Sequence, residues 1–253
     1  MNHDPQSLAA ALGVSGGIIC ATGAGGKKSL LYALADERGG RIALTSTTFT
    51  LMPPQRYRKH LWIEADADLH DALIQTRGAG VFTYGTPSDK RGRMAGVAPH
   101  TITAIHRVGG YDLTLVKADG ARMRGIKGPR ADEPALVPEA TRVLPIVSAA
   151  VIGQPLNEDT AHRPEILATV IGAALHTPIS AAHVATLLAS EQGALQGTAG
   201  HSVIPVINQV DNDERLQQAR AAARGALQQT DRFDRVVLTC LRRAQPVVDI
   251  IER

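Results

Sequence analysis

"CATGAGGKKSLLYAL", residues 20–34, sets an apolar run against Gly23, Gly25 and Gly26, then Lys27, Lys28 and Ser29, and then a helical pattern. A strand, a glycine turn and a helix in that order aim several backbone N–H groups and a helix N-terminus at one point, which makes an anion site. Aligning Gly26-Lys27 with the Gly-Lys of a Walker A phosphate loop puts Ala21 where its first glycine stands. Gly23, Ala24, Gly25 and Gly26 then cradle phosphate, and Lys27 meets it. The next position calls for Ser or Thr, but Lys28 occupies it and Ser29 is displaced by one residue. In phosphate-loop enzymes that hydroxyl holds Mg²⁺, and an ammonium has no lone pair to take its place. The loop is suited to binding and poorly suited to metal-assisted hydrolysis. The bland alternative is a glycine-rich turn that binds nothing.

Around this loop, apolar runs rich in β-branched residues alternate with helical patterns, the signature of a mostly parallel sheet with helices on both faces. Strands are expected at 17–22, 41–47, 61–65, 80–84, 112–119, 142–149, 202–208 and 235–241. Helices are expected at 28–38, 67–76, 163–175, 180–189 and 212–229. The whole chain, 1–253, is read as one phosphate-loop NTPase-like α/β domain. It carries an inserted segment at about 84–112, expected as short strands and loops across the sheet, and a helical segment at about 155–200. Gly193, Gly197 and Gly200 mark 190–202 as a linker or mobile loop.

Composition narrows the class. With 27 basic and 24 acidic residues the net charge is +3, too mild to imply nucleic acid or a membrane surface. The N-terminal MNHDPQSLAAALGV lacks the features of a secretory signal, so a cytoplasmic location is expected. Three Phe, four Tyr and one Trp leave an aliphatic core. Cys20 and Cys240 sit inside apolar runs and read as core residues rather than a disulfide, and the scattered histidines give no metal spacing.

Two further signals bear on the loop. "YDLTLVKADGA", residues 111–121, is a strand ending in Asp119, placed like a Walker B carboxylate that holds Mg²⁺; alone, Asp119 reads equally as a turn cap before Gly120. "VINQVD", residues 206–211, ends in Asn208 and Asp211, similar to the Asn-Lys-x-Asp motif with which GTPases read guanine. Asp211 could instead cap the next helix. The candidate catalytic residues are Lys27 and Asp119, and the candidate metal ligands are Ser29 and Asp119. A nucleotide would be held by residues 23–29 with Asn208 and Asp211.

Taken in order, "GAGGKKSLLYALA", "TSTTFTLMP", "VKADGARMRGIKGP", "DEPALVP", "GQPLNEDTAHRPE" and "VINQVD" resemble the YqeC family of selenium-dependent hydroxylase accessory proteins. The resemblance runs from about Leu12 to Arg243. It implies a phosphate-loop fold, GTP or ATP as ligand, and a molybdenum hydroxylase or its cofactor-assembly proteins as partner. It also marks Thr47, Thr48, Lys117, Arg122, His162 and Arg163 as members of family blocks. Thr47 and Thr48 could face phosphate or simply extend a strand. Arg122, with Arg124 and Lys127, could grip a phosphate or form a solvated loop. His162-Arg163 could touch a ligand or client, or start a helix. The chain departs from the family twice: Lys28 replaces a threonine and Lys117 a glutamate. Either these lysines point to solvent, or their charge stands in for magnesium. The implied function is a nucleotide-binding accessory protein that assists maturation, or cofactor or selenium delivery, for such an enzyme, with hydrolysis left open. A non-catalytic oxyanion-binding chaperone and a small-molecule phosphoryl transferase are the alternatives.

Overall fold

Strand β1 (Gly17–Gly23) places Ile18 and Cys20 in one buried cluster and Ile19 and Ala21 in another. That alternation is what a strand buried on both faces requires. The computed structural model describes residues 7–253. After α1 (Leu8–Ala11) and β1 come α2 (Lys27–Arg38), β2 (Arg41–Ser46), β3 (Thr50–Leu51), β4 (His60–Ile63), α3 (Asp66–Ile74), β5 (Gly80–Gly85), β6 (Arg93–Met94) and α4 (Pro99–Gly109). The second half holds β7 (Leu113–Lys117), β8 (Ile126–Lys127), β9 (Ala140–Ser148), β10 (Ala161–His162), α5 (Pro164–Ile171) and α6 (Ala181–Ala189). It ends with β11 (Val206–Asn208), α7 (Asp213–Gln229), β12 (Arg235–Thr239) and β13 (Val247–Glu252).

Nine strands form one open sheet in the order β13-β12-β11-β9-β1-β7-β2-β5-β4, parallel throughout except for β13. The architecture is the expected α/β one, a phosphate-loop NTPase-like sheet with helices on both faces. α1 and α2 cover one face through Leu8, Leu12, Leu30 and Leu34, whereas α3 to α7 cover the other. Each fully buried leucine contributes roughly 1.5–3 kcal/mol. β1 lies centrally between β7 and β9, so its carboxyl end opens where successive connections diverge, the usual place for a ligand in such sheets.

Two expectations are corrected. The segment at 84–112 contains one two-residue strand, and its second half is α4, the crossover helix that leads to β7. Its Thr and Ile residues suit strands, yet Pro99 at the first turn and left-handed Gly110 at the end fix a helix whose Ile102 and Ile105 are buried. The 190–202 segment is packed rather than a linker: Leu195 and Thr198 are fully buried, and the Gln196 amide donates to the Arg130 and Glu133 carbonyls. Cys20 and Cys240 are free and buried, and burial pushes the Cys20 thiol up to about 12. Among the described residues, no helix is long and apolar enough to cross a membrane, and no group of three or more His, Cys, Asp or Glu could hold a metal ion.

Candidate phosphate-loop site

Gly26, at φ +138°, is the N-cap of α2, and no side chain caps that helix. Its first turn carries no acidic residue, so its uncapped N–H groups and positive dipole end are open to an anion. The glycines are fixed by close packing. A Cβ on Gly23 would lie 2.4 Å from the Ile146 carbonyl oxygen, and one on Gly26 2.3 Å from Asn208 Nδ2. Earlier in the loop the amides are already engaged. Gly23 N–H donates to Asp119 Oδ2 (2.9 Å), Ala24 N–H to the Ile146 carbonyl (2.8 Å) and Gly25 N–H to the Arg124 carbonyl (3.1 Å).

β1 and β7 are paired in register, with Ala21 beside Lys117, which sets Asp119 just beyond the strand end next to the loop. Lys27 and Asp119 are both buried. The Lys27 ammonium turns back onto the Gly23 carbonyl and lies 2.9 Å from Asp119 Oδ1, an ionic contact off the hydrogen-bond direction. Burial pushes the Lys27 ammonium below the usual lysine range against the opposing pull of Asp119. To meet a phosphate, Lys27 must leave this pair.

The pair continues inward. Lys127 donates to Asp119 Oδ2 (2.9 Å), to the Gly120 carbonyl (2.8 Å) and to Glu133 Oε2 (2.7 Å). Arg163 grips Glu133 with two hydrogen bonds, of 2.7 and 3.1 Å. Burial alone would raise the Glu133 carboxyl, but Arg163 and Lys127 together hold it down at about 2. Lys127 is therefore an interior ion-pair partner and not part of a basic loop gripping phosphate. Glu133 lies in the "DEPALVP" block, but nothing local in the sequence marks it as a site residue or says what it faces.

The other expected residues fall into place as follows. Asn208 is buried and ties the loop to the sheet, donating to the Gly25 carbonyl (2.8 Å) and accepting from Thr239. Asp211 accepts from Arg215 (2.9 Å) and from the Cys240 thiol, so both its oxygens are engaged. Thr47 donates to the Ala135 carbonyl, and Thr48 N–H donates to Ser46 Oγ. His162 lies beside Arg163, Lys127 and Arg122; burial and these cations lower it to about 4, which keeps it neutral at pH 7. Arg122 is exposed on the loop after Asp119 and has a positive φ. Ser29 is exposed on α2.

Lys28 and Lys117 do not point away into solvent. Both line one small cleft between α2 and β2. Burial lowers Lys28, with Arg93 adding to the effect. Lys117 falls to about 7, through burial first and then through Lys27, Lys28 and Lys127, with Asp119 opposing. Its ammonium donates to the Phe49 carbonyl (3.2 Å). The residues present do not fit Mg²⁺. Asp119 is surrounded by Lys27, Lys127 and the Gly23 amide, and Lys28 stands where a ligating hydroxyl would be needed.

The family profile described as YqeC protein matches residues 19–165, from β1 through the start of α5. The chain belongs to the YqeC family. It is similar to a relative in Escherichia coli (strain K12), "Uncharacterized protein YqeC", at 26% identity over 198 residues, 76% of each chain. The YqeC profile spans the glycine loop, Asp119, Lys127, Glu133 and Arg163, and so takes in the whole ion-pair chain.

Proposed function

We propose that this member of the YqeC family is a nucleotide-binding accessory protein that assists maturation of a molybdenum hydroxylase, holding the phosphates of GTP or ATP without magnesium. One observation carries the binding half: the glycine loop between β1 and α2, with Lys27 beside Asp119 at the end of the adjacent strand. The uncapped start of α2 and the nearby Lys28 ammonium supply positive charge for the phosphates. With no seat for Mg²⁺, turnover is slow or absent. Family membership supports the accessory role, with the hydroxylase or its cofactor-assembly proteins as the partner that receives cofactor or selenium.

A second reading, a non-catalytic chaperone that holds an oxyanion, draws on the Ala24 and Gly25 amides. Carbonyls already fill them, leaving fewer donors than a triphosphate would use. Calorimetric titration with ATP, GTP, CTP and inorganic phosphate, each with Mg²⁺ and with a chelator, tests both. Nucleotide affinity that the chelator leaves unchanged supports the proposal. Affinity for inorganic phosphate alone supports the chaperone, and affinity that appears only with Mg²⁺ contradicts both.

A further inference from the structure

Beside the phosphate loop, the cleft between α2, β2 and β3 collects positive charge without balancing carboxylates. Lys28 and Lys117 line it, and Arg93 stands close enough to depress Lys28. Among the described residues, Lys28, Lys117 and Arg93 make no ion pair, although every acidic side chain of the loop site is paired. A concave, low-dielectric site with unpaired cations favours an anion that desolvates them.

Its walls and mouth are apolar. Leu31, Leu44 and Met94 line the interior, while Leu51, 40% exposed, is on the same lining and one of the few exposed large hydrophobic residues. A bare inorganic ion would use the ammonium groups and leave this surface wet.

The third observation is a hydroxyl. Thr45 and Thr83 on the same lining donate to the Tyr84 and Tyr57 carbonyls. Thr50, only 5% exposed, has an Oγ1 without any partner. A buried hydroxyl left unsatisfied is unfavourable, and native structures rarely tolerate it without a reason. Here it lies where a ligand oxygen could accept its proton.

We infer that this cleft is a second binding site, taking an organic oxyanion: a carboxylate or phosphate head between Lys28 and Lys117, bonded by Thr50, with a short apolar body against Leu51 and Met94. The site adjoins the nucleotide phosphates and shares Lys28 with them, so the inference extends the proposed reading of the loop, and nucleotide and organic anion compete for that ammonium. It gives the two lysines that depart from the family pattern a positive role, selecting an anionic small molecule.

Phenyl phosphate and inorganic phosphate, each titrated into the full chain and followed by backbone amide NMR and calorimetry, provide the test. Phenyl phosphate is expected to shift the Thr45, Thr50 and Met94 amides and to bind at least tenfold tighter than inorganic phosphate. Lys117→Gln should weaken it at least tenfold. Thr50→Val should weaken it severalfold, whereas Thr50→Ser, which keeps the hydroxyl, should not. Should Lys117→Gln fail to fold, the shift map of the unaltered chain and the Thr50 pair still decide. Equal affinity for the two probes, no binding, or shifts confined to residues 23–26 would overturn the inference. ATP and GTP report on residues 23–26 instead, so failure of the nucleotide proposal is seen separately.

Discussion

Two groups of cations lie within reach of the ends of β1 and β7, and they behave in opposite ways. Lys27, Lys127 and Arg163 are locked to Asp119 and Glu133 in one chain that is buried at Lys27, Asp119 and Lys127 and half-buried at Glu133 and Arg163. Lys28, Lys117 and Arg93, on the α2 side, have no carboxylate to hold. Positive charge that is paired serves to fix the loop against β7 and α5. Positive charge that is unpaired is what an arriving anion can use. The same residue type thus does structural work at Lys127 and remains available for binding at Lys117.

The strongest way to break this contrast is at Glu133. Glu133→Gln leaves buried Lys127 and half-buried Arg163 without their shared partner, and it should lower stability by about 3 kcal/mol near neutral pH. Lys28→Gln should change stability by less than about 0.5 kcal/mol. Urea unfolding of the two variants checks this. Because the folded Glu133 carboxyl is held near 2, below its ordinary 4.5, its stabilising contribution is complete above pH 4.5 and drains away as pH falls toward 2. The deficit of Glu133→Gln should therefore shrink in that acid window, and a constant deficit would mean that packing rather than charge sets it.

At Lys27 the effect should be somewhat smaller and should appear in binding. Lys27→Ala removes a charge-assisted phosphate contact and should weaken nucleotide affinity by about 1.5–3 kcal/mol, measured calorimetrically. Unchanged affinity would make Lys27 a purely structural partner of Asp119 and remove the phosphate loop from the account.

The mildest effect is a pH dependence at Lys117, whose ammonium titrates near 7 among Lys27, Lys28, Lys127 and Asp119. Benzenesulfonate keeps a fixed charge between pH 6 and 8, so its affinity reports the protein. Lys117 is mostly charged at pH 6 and mostly neutral at pH 8, and binding should be roughly five- to tenfold tighter at the lower pH. A flat profile would show that Lys117 does not face the bound anion.

How much of this was legible beforehand follows from what is local. The strand, glycine turn and helix at 17–38 declare themselves through apolar alternation, Gly23–Gly26 and the leucines of α2. Eight sheet strands stand out for the same reason. β13 does not, because Val247–Glu252 is short and mostly half-buried. α4 was masked by Thr101, Ile102, Thr103 and Ile105, whose branching favours strands until Pro99 and Gly110 are weighed. The site divides similarly. Gly26, Lys27 and Asp119 could be named from motif spacing. Glu133 and Arg163 could not be paired, since they meet only when β8 and β10 align beside the loop. Thr50 stands inside the "TSTTFTLMP" block with nothing local to mark it apart from its neighbouring threonines, Arg93 carries no motif, and only the β3–β6 pairing brings the two together beside the cleft.

The central claim, that unpaired lysine charge takes the place of magnesium, is tested most directly by the magnesium dependence of nucleotide affinity in the double variant Lys28→Thr, Lys117→Glu. Both positions line one cleft, so the change swaps two ammonium groups for a hydroxyl and a carboxylate that can hold a divalent ion. The account predicts affinity indifferent to Mg²⁺ in the unaltered chain and at least tenfold tighter with Mg²⁺ in the double variant. Brisk Mg²⁺-dependent binding and hydrolysis in the unaltered chain, with no gain in the double variant, would contradict it.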